Sequence, residues 1–284
     1  MLFEAQWLRL RRLSLILPGL PPAYDGLKIL HISDLHAGVP GPNEAVASKL
    51  ARIASGTEPD IVFFTGDMTD KKRDIKPYLP MLKEIRSRYG KFAVLGNHDH
   101  GLRKTVPEDL LNRLTGIELG HDKSEVVDRV FEETVAANRS LLAEAGIQLL
   151  ENECLKTRAG SEEVQICGVD DFQYGFADIE GTAGQVDHAV PLRILLSHSP
   201  DIADYISNGD YHLLLAGHTH GGQICLPHPT RGKILLSTSG SSYGAGLYRP
   251  GNTVMHVSPG VGTTLLPFRL LRRPEITLLE LTSG

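Results

Sequence analysis

Five apolar runs in this chain end in side chains that can hold a cation, and this pattern constrains the fold more than any other feature. The first is ILHISDLH at 29–36, which ends in Asp34 and His36, one residue apart. The others are IVFFTGD at 61–67, FAVLGNHD at 92–99, ILLSH at 194–198 and LLLAGHTH at 213–220. A short continuous apolar run bounded by turn residues is consistent with a strand buried on both faces. In parallel α/β sheets, functional residues gather at the carboxyl ends of strands. Asp34, Asp67 and Asn97 fall at such ends, so five separated segments point to one shared site.

The intervening segments fit that architecture. Asn43 is placed to cap a helix running to about residue 55. Leu79, Leu82 and Ile85 recur at helical spacing over 77–88. Alternating strand and helix predicts right-handed parallel βαβ units, hence an α/β protein. Residues 101–140 break the rhythm with a long charged stretch whose best helix candidate is 125–142. Short strands are expected at 147–151, 154–157, 164–169, 193–197, 211–216, 233–237, 253–258 and 275–281, with a short helix near Pro200. No repeat and no linker divides the chain, so residues 1–284 read as one domain, with 101–140 an insertion close to His98.

Near the N-terminus, WLRLRRLSLIL at 7–17 alternates with period 2. Leu8 and Leu10 share one face, and Leu13, Leu15 and Leu17 share another after a phase switch at Arg12, as a bulge allows. The same arginines and leucines also suit a membrane-surface segment, but period-2 alternation fits an amphipathic helix poorly. No stretch reaches the roughly 20 apolar residues of a membrane span. The N-terminus carries no small-residue cleavage site after a clean apolar run, so no signal peptide is expected. The expectation is a cytoplasmic protein, with peripheral contact at the inner face of a membrane as a further option.

The formal charge of −5 and pI near 6.2 argue against a dedicated nucleic-acid binder, which would carry a basic face. They leave a nuclease open, because bound cations would offset an acidic site. Cys154, Cys167 and Cys225 form no Cys-x-x-Cys pair and read as buried thiols in a reduced compartment.

Carboxylates, an amide oxygen and imidazoles make a mixed oxygen/nitrogen donor set. That set suits Mn²⁺, Fe, Zn²⁺ or Co²⁺ better than Ca²⁺. Asp34, His36, Asp67, Asn97, His198, His218 and His220 are too many for one tetrahedral ion and about right for two if one carboxylate bridges. Two ions roughly 3.5–4 Å apart can clamp a phosphoryl group as it inverts. Taken singly, each motif has a bland explanation: Asp34 could cap a turn, and His198 beside Ser197 and Pro200 could cap a helix. The two histidines of GHTH have few purely structural uses, and the whole set in this order is far less compatible with chance.

The five blocks, Asp34-Leu-His36, Gly66-Asp67, Gly96-Asn-His-Asp99, His198 and Gly217-His-Thr-His220, resemble those of the calcineurin-like metallophosphoesterases across residues 27–281. The resemblance implies a four-layer α/β/β/α sandwich with two mixed sheets and a dinuclear site at one edge. It implies Asp34, His36, Asp67 and His220 on one metal ion, and Asp67, Asn97, His198 and His218 on the other. His98 would contact the phosphate and protonate the leaving oxygen, with Asp99 orienting its ring, while a hydroxide between the metals attacks phosphorus in line. The strings GHTHGGQI (217–224), GLY (246–248), VSPG (257–260) and GVDD (168–171) are similar to a bacterial branch of small phosphodiesterases and pyrophosphatases. A phosphodiester or pyrophosphate substrate is therefore expected, with the lipid-linked nucleotide UDP-2,3-diacylglucosamine one candidate. The N-terminal leucines and LLPFRLL at 265–271 could supply the apolar surface its acyl chains need, although core packing also explains them. No protein partner is expected. The alternative is a non-catalytic metal-binding scaffold on the same fold, which loss of a ligand or of the His98 block would signal; none is lost.

Overall fold

The computed structural model describes residues 2–38, 42–70, 75–101, 130–228, 232–235, 240–264 and 266–283. The proposed insertion falls mostly on residues 102–129, outside the described residues. Two six-stranded sheets stack face to face. The first runs β1 (Arg9–Leu17), β14 (Glu275–Ser283), β2 (Lys28–Ile32), β3 (Ile61–Thr65), β4 (Gly90–Val94), β5 (Ile147–Leu149). The second runs β12 (Gly246–Tyr248), β13 (Val254–Val257), β9 (Leu213–Ala216), β8 (Leu192–Leu196), β7 (Glu162–Gly168), β6 (Glu153–Ala159). A hairpin of β10 (Cys225–His228) and β11 (Gly232–Leu235) follows the GHTH turn.

Both sheets are mixed, as expected. Strands β2 to β5 are parallel, as are β7, β8, β9 and β13, while β14 against β2, β12 against β13 and β6 against β7 are antiparallel. Strands β2, β3, β8 and β9 are largely apolar, interrupted by the buried His31 in β2 and Arg193 in β8, because both of their faces are covered. Ile29, Ile61, Phe63, Ile194 and Leu213 fill the layer between the sheets. Leu30, Ile32, Val62 and Phe64 face the helices Pro42–Ser55 and Leu79–Glu84 through Val46, Leu50 and Leu82. Fully burying each such side chain contributes about 1.5–3 kcal/mol. The outer face of the second sheet is covered more thinly, by the five-residue helix Ile179–Ala183 and the 3₁₀ turn Pro200–Asp204.

Several local expectations are corrected. β1 carries no bulge: it pairs residue for residue with β14 from Arg9↔Glu275 to Leu17↔Ser283. The apparent phase switch arises because the strand serves two cores. Leu8 and Leu10 pack toward the helices, and Leu13, Leu15 and Leu17 toward the second sheet. Asn43 does not cap the helix Pro42–Ser55. Its side chain donates to the carbonyls of His36 and Thr263, both at 3.2 Å, and accepts from the Thr263 amide at 2.9 Å. It thereby ties the turn after β2 to the chain before β14. The helical stretch over 77–88 shortens to a 3₁₀ turn, Lys76–Tyr78, and the helix Leu79–Glu84.

The three cysteines are not all thiols. Cys154 and Cys167 face each other across the antiparallel β6–β7 pair and are disulfide-bonded, while Cys225 is free and buried. Their separation of 13 residues matches no short motif, so only the strand register exposes the pairing.

Candidate metal centre and active site

Strand ends of both sheets converge on one point. β2 delivers Asp34 and His36, β3 delivers Asp67, β4 delivers Asn97 and His98, β8 delivers His198, and β9 delivers His218 and His220. The turns are sharp enough to force left-handed backbone on residues that disfavour it: φ is 52° at Asp34, 47° at His36, 51° at Asp67, 68° at His218 and 49° at His220. Such conformations cost roughly 1–3 kcal/mol each and persist where surrounding structure over-determines them. Glycines permit the close approach. A Cβ on Gly217 would collide with Ser33 Oγ, and one on Gly66 would lie 2.5 Å from His198 Nδ1.

The ligand atoms of Asp34, His36, Asp67 and His220 all lie within 4.8 Å of one another, and all four residues are buried. In a second group, Asp67, His198 and His218, the ligand atoms lie within the same distance, with His218 half-buried. Asp67 belongs to both. Its Oδ2 sits 3.6 Å from His36 Nε2 on one side and 3.2 Å from His198 Nε2 on the other. Its Oδ1 accepts the His98 amide at 2.9 Å. His198 Nε2 is 3.2 Å from His218 Nδ1, and His36 Nε2 is 3.0 Å from His220 Nε2. Asn97, next to His98 in the chain, is buried.

Electrostatics follow from burying carboxylates among imidazoles. Burial raises Asp34 to about 6, opposed by the charge of His198. Burial would also raise Asp67, but His198 and His98 outweigh it and hold Asp67 well below the usual carboxylate range. Burial pulls His198 down, yet the Asp67 charge, its hydrogen bond and Asp34 lift it to about 10. Burial and the neighbouring His98 push His36 down to about 3, and burial with His36 and Arg269 lowers His220. The protein thus balances Asp67 with a protonated His198, a role a bound cation would take over with release of the proton. Two oxygen and two nitrogen donors converging on one buried point, with a shared carboxylate leading to a second imidazole pair, fit divalent metal. The outer nitrogens support the same reading: His198 Nδ1 donates to the Thr65 carbonyl at 2.8 Å, which turns Nε2 toward Asp67.

Two contributors were not visible in the sequence. The first is Asp70, whose Oδ1 lies 2.6 Å from His98 Nδ1. The expectation that Asp99 orients this ring is corrected. Asp99 instead accepts from the Thr69 amide, the Thr69 hydroxyl and the Gly96 amide at 2.9, 3.1 and 3.0 Å, and so braces the turn. A second carboxylate three residues after Asp67, in GDMTD, was the available signal. Burial lowers the His98 pKa, but Asp67 and Asp70 together raise it above the usual histidine value. Asp70→Asn is expected to lower it, so activity that depends on protonated His98 should fall away at a lower pH on the alkaline side. A pH–rate profile with an unmoved alkaline limb would count against this role.

The second is Arg269, fully buried although cationic. It donates to the carbonyls of Gly262 and Pro259, at 3.0 and 2.8 Å, and its Nη2 lies 3.2 Å from His220 Nδ1. The Gly262 amide in turn donates to the Asp34 carbonyl at 2.6 Å. Arg269 therefore braces two members of the first donor group that are far apart in sequence. Its neighbours in LLPFRLL hid it, because the run reads as apolar.

Comparison with known proteins agrees with this geometry. Residues 27–222 match the calcineurin-like phosphoesterase family model, and the chain belongs to that family. It is 32% identical to the uncharacterized metallophosphoesterase YkuE of Bacillus subtilis, over 93% of this chain and 82% of that protein. It is 32% identical to the UDP-2,3-diacylglucosamine pyrophosphatase LpxG of Chlamydia muridarum, over 80% of this chain and 73% of that protein. It is 27% identical to the phosphodiesterase YaeI of Escherichia coli, over 89% and 82%. The chain is accordingly a phosphoester hydrolase with residue clusters able to bind metal.

Proposed function

We propose that the chain is a dinuclear-metal phosphodiesterase or pyrophosphatase, with Asp34, His36, Asp67 and His220 on one ion and Asp67, Asn97, His198 and His218 on the other. The observation that carries this reading is the single carboxylate Asp67 placed between two imidazole-bearing donor groups. Two divalent ions held there, Mn, Zn, Fe or Co, would supply Lewis-acid charge against the phosphoryl oxygens and an acidified water as nucleophile. The protein's own contribution is positional and protonic. His98 Nδ1 is engaged by Asp70, which leaves Nε2 to face substrate and carry a proton to the departing oxygen. Asp67 fixes the backbone of His98 at 2.9 Å, so the acid and the shared ligand move as one unit.

Kinship with LpxG and YaeI favours a diester or pyrophosphate link over a monoester. UDP-2,3-diacylglucosamine is the first candidate substrate. The test is hydrolysis of bis-p-nitrophenyl phosphate by purified protein before and after chelation, then with Mn²⁺ restored. Turnover should vanish on chelation and return with metal. Turnover indifferent to chelation would overturn the metal-dependent reading. The same preparation, screened against model diesters, cyclic nucleotides and UDP-diacylglucosamine, separates the substrate classes.

A further inference from the structure

Beside the His220 corner lies a surface that the chemistry above does not use. Residues 264 and 266–271 dock on the chain immediately after His220. Gln223 Nε2 donates to the carbonyls of Thr264, Leu266 and Phe268 at 3.0, 2.9 and 3.1 Å, and the Cys225 amide donates to the Leu270 carbonyl at 2.9 Å. Arg269 anchors the same segment from within. The loop is therefore rigidly built, yet it points large apolar side chains outward: Leu266 is 45% exposed and Leu271 58%. Leu271 is also held at φ 55°, a left-handed conformation that costs a leucine energy, with its amide donating to Glu4 Oε2 at 2.9 Å.

Trp7 joins this surface. Its ring is covered on one side by the Arg273 guanidinium at 4.3 Å, and its carbonyl accepts from Arg273 Nε at 3.0 Å, while the residue stays 64% exposed. Among the described residues, the ion pairs of this corner go to Arg9 and Arg11 with Glu275, and no carboxylate pairs with Arg272 or Arg273. An exposed tryptophan and leucines beside arginines that no carboxylate pairs with is the composition that partitions into the boundary between headgroups and acyl chains. The arginines add attraction to anionic lipid.

We propose that Trp7, Leu266, Leu271 and Arg273 form a docking face for an anionic membrane surface, next to the metal corner of the site. No helix among the described residues is long and apolar enough to cross a membrane. The cationic Arg273 beside the exposed Trp7 and Leu271 matches an anionic lipid boundary, and a second copy of this chain is the alternative occupant that the test distinguishes.

Trp7 is the only tryptophan in the sequence, which makes it a direct reporter. Fluorescence of the intact protein is followed as vesicles are added, either phosphatidylcholine alone or an equal mixture with phosphatidylglycerol, each with brominated acyl chains. Quenching and a blue shift are expected with the anionic vesicles only, weakened in high salt. The double substitution L271S/R273S should reduce partitioning roughly fiftyfold, about fivefold from the arginine and about tenfold from the leucine. It should leave hydrolysis of a soluble diester unchanged. Unaltered emission with excess anionic vesicles would overturn the proposal, as would an equal response to neutral vesicles. Sedimentation showing a dimer that buries Trp7 would also overturn it and assign the face to a second copy. None of these readouts depends on turnover, so the docking face and the catalytic reading fail separately.

Discussion

Asp67→Asn is expected to abolish measurable phosphoesterase activity and to reduce bound metal at both positions together. Asp67 Oδ2 lies between His36 Nε2 and His198 Nε2, so one substitution removes the anionic donor common to the two groups. An amide is nearly isosteric with the carboxylate but carries no charge. In the metal-free protein the same change should lower the His198 pKa from about 10, because Asp67 is the main influence raising it. Elemental analysis of metal per chain and NMR titration of His198 report the two effects independently. Retention of two ions per chain with an unshifted His198 would show that Asp67 is not the shared ligand.

His98→Ala is expected to lower kcat by about 10²–10⁴-fold, the usual span for losing a positioned general acid. Metal content should stay unchanged, since His98 Nδ1 is engaged by Asp70. The loss should shrink for substrates whose leaving group needs no proton. Comparing p-nitrophenyl diesters with alkyl diesters therefore separates proton donation from simple damage to the turn. An identical loss on both substrates would assign His98 to phosphate contact alone. A background rate equal to that of the native chain would instead favour the non-catalytic scaffold.

Most of the donor set was legible because the chemistry lies close to strongly patterned sequence. ILHISDLH and LLLAGHTH each join a buried strand to its ligands within a few residues, so strand ends and candidate donors could be read together. The strand ends that carry the site follow from the same runs, whereas the two mixed sheets were implied only by the family resemblance, the runs themselves predicting parallel units. What stayed hidden depended on contacts between segments far apart in sequence. WLRLRRLSLIL looked bulged because a strand lining two cores shows two apolar phases. Cys154 and Cys167 paired only through the β6–β7 register. Arg269 was hidden within LLPFRLL, which reads as apolar, until the fold brought it against His220, 49 residues earlier.

The sequence by itself determined which residue types stand at which strand ends, because that depends on apolar run length and turn chemistry. Only the tertiary structure decided how those ends combine. Asp34, His36 and Asp67 hang from the first sheet, while His198, His218 and His220 hang from the second, and their spacing depends on how the two sheets stack through Phe63, Ile194 and Leu213. The same stacking sets Asp67 between both groups. Within the first sheet, the turn after β3 lies against the turn after β4 and gives His98 to Asp70 rather than to Asp99, its neighbour in sequence. Adjacency along the chain is a poor guide to such a pairing, because a side chain in a tight turn hydrogen-bonds whatever the packed structure brings within reach.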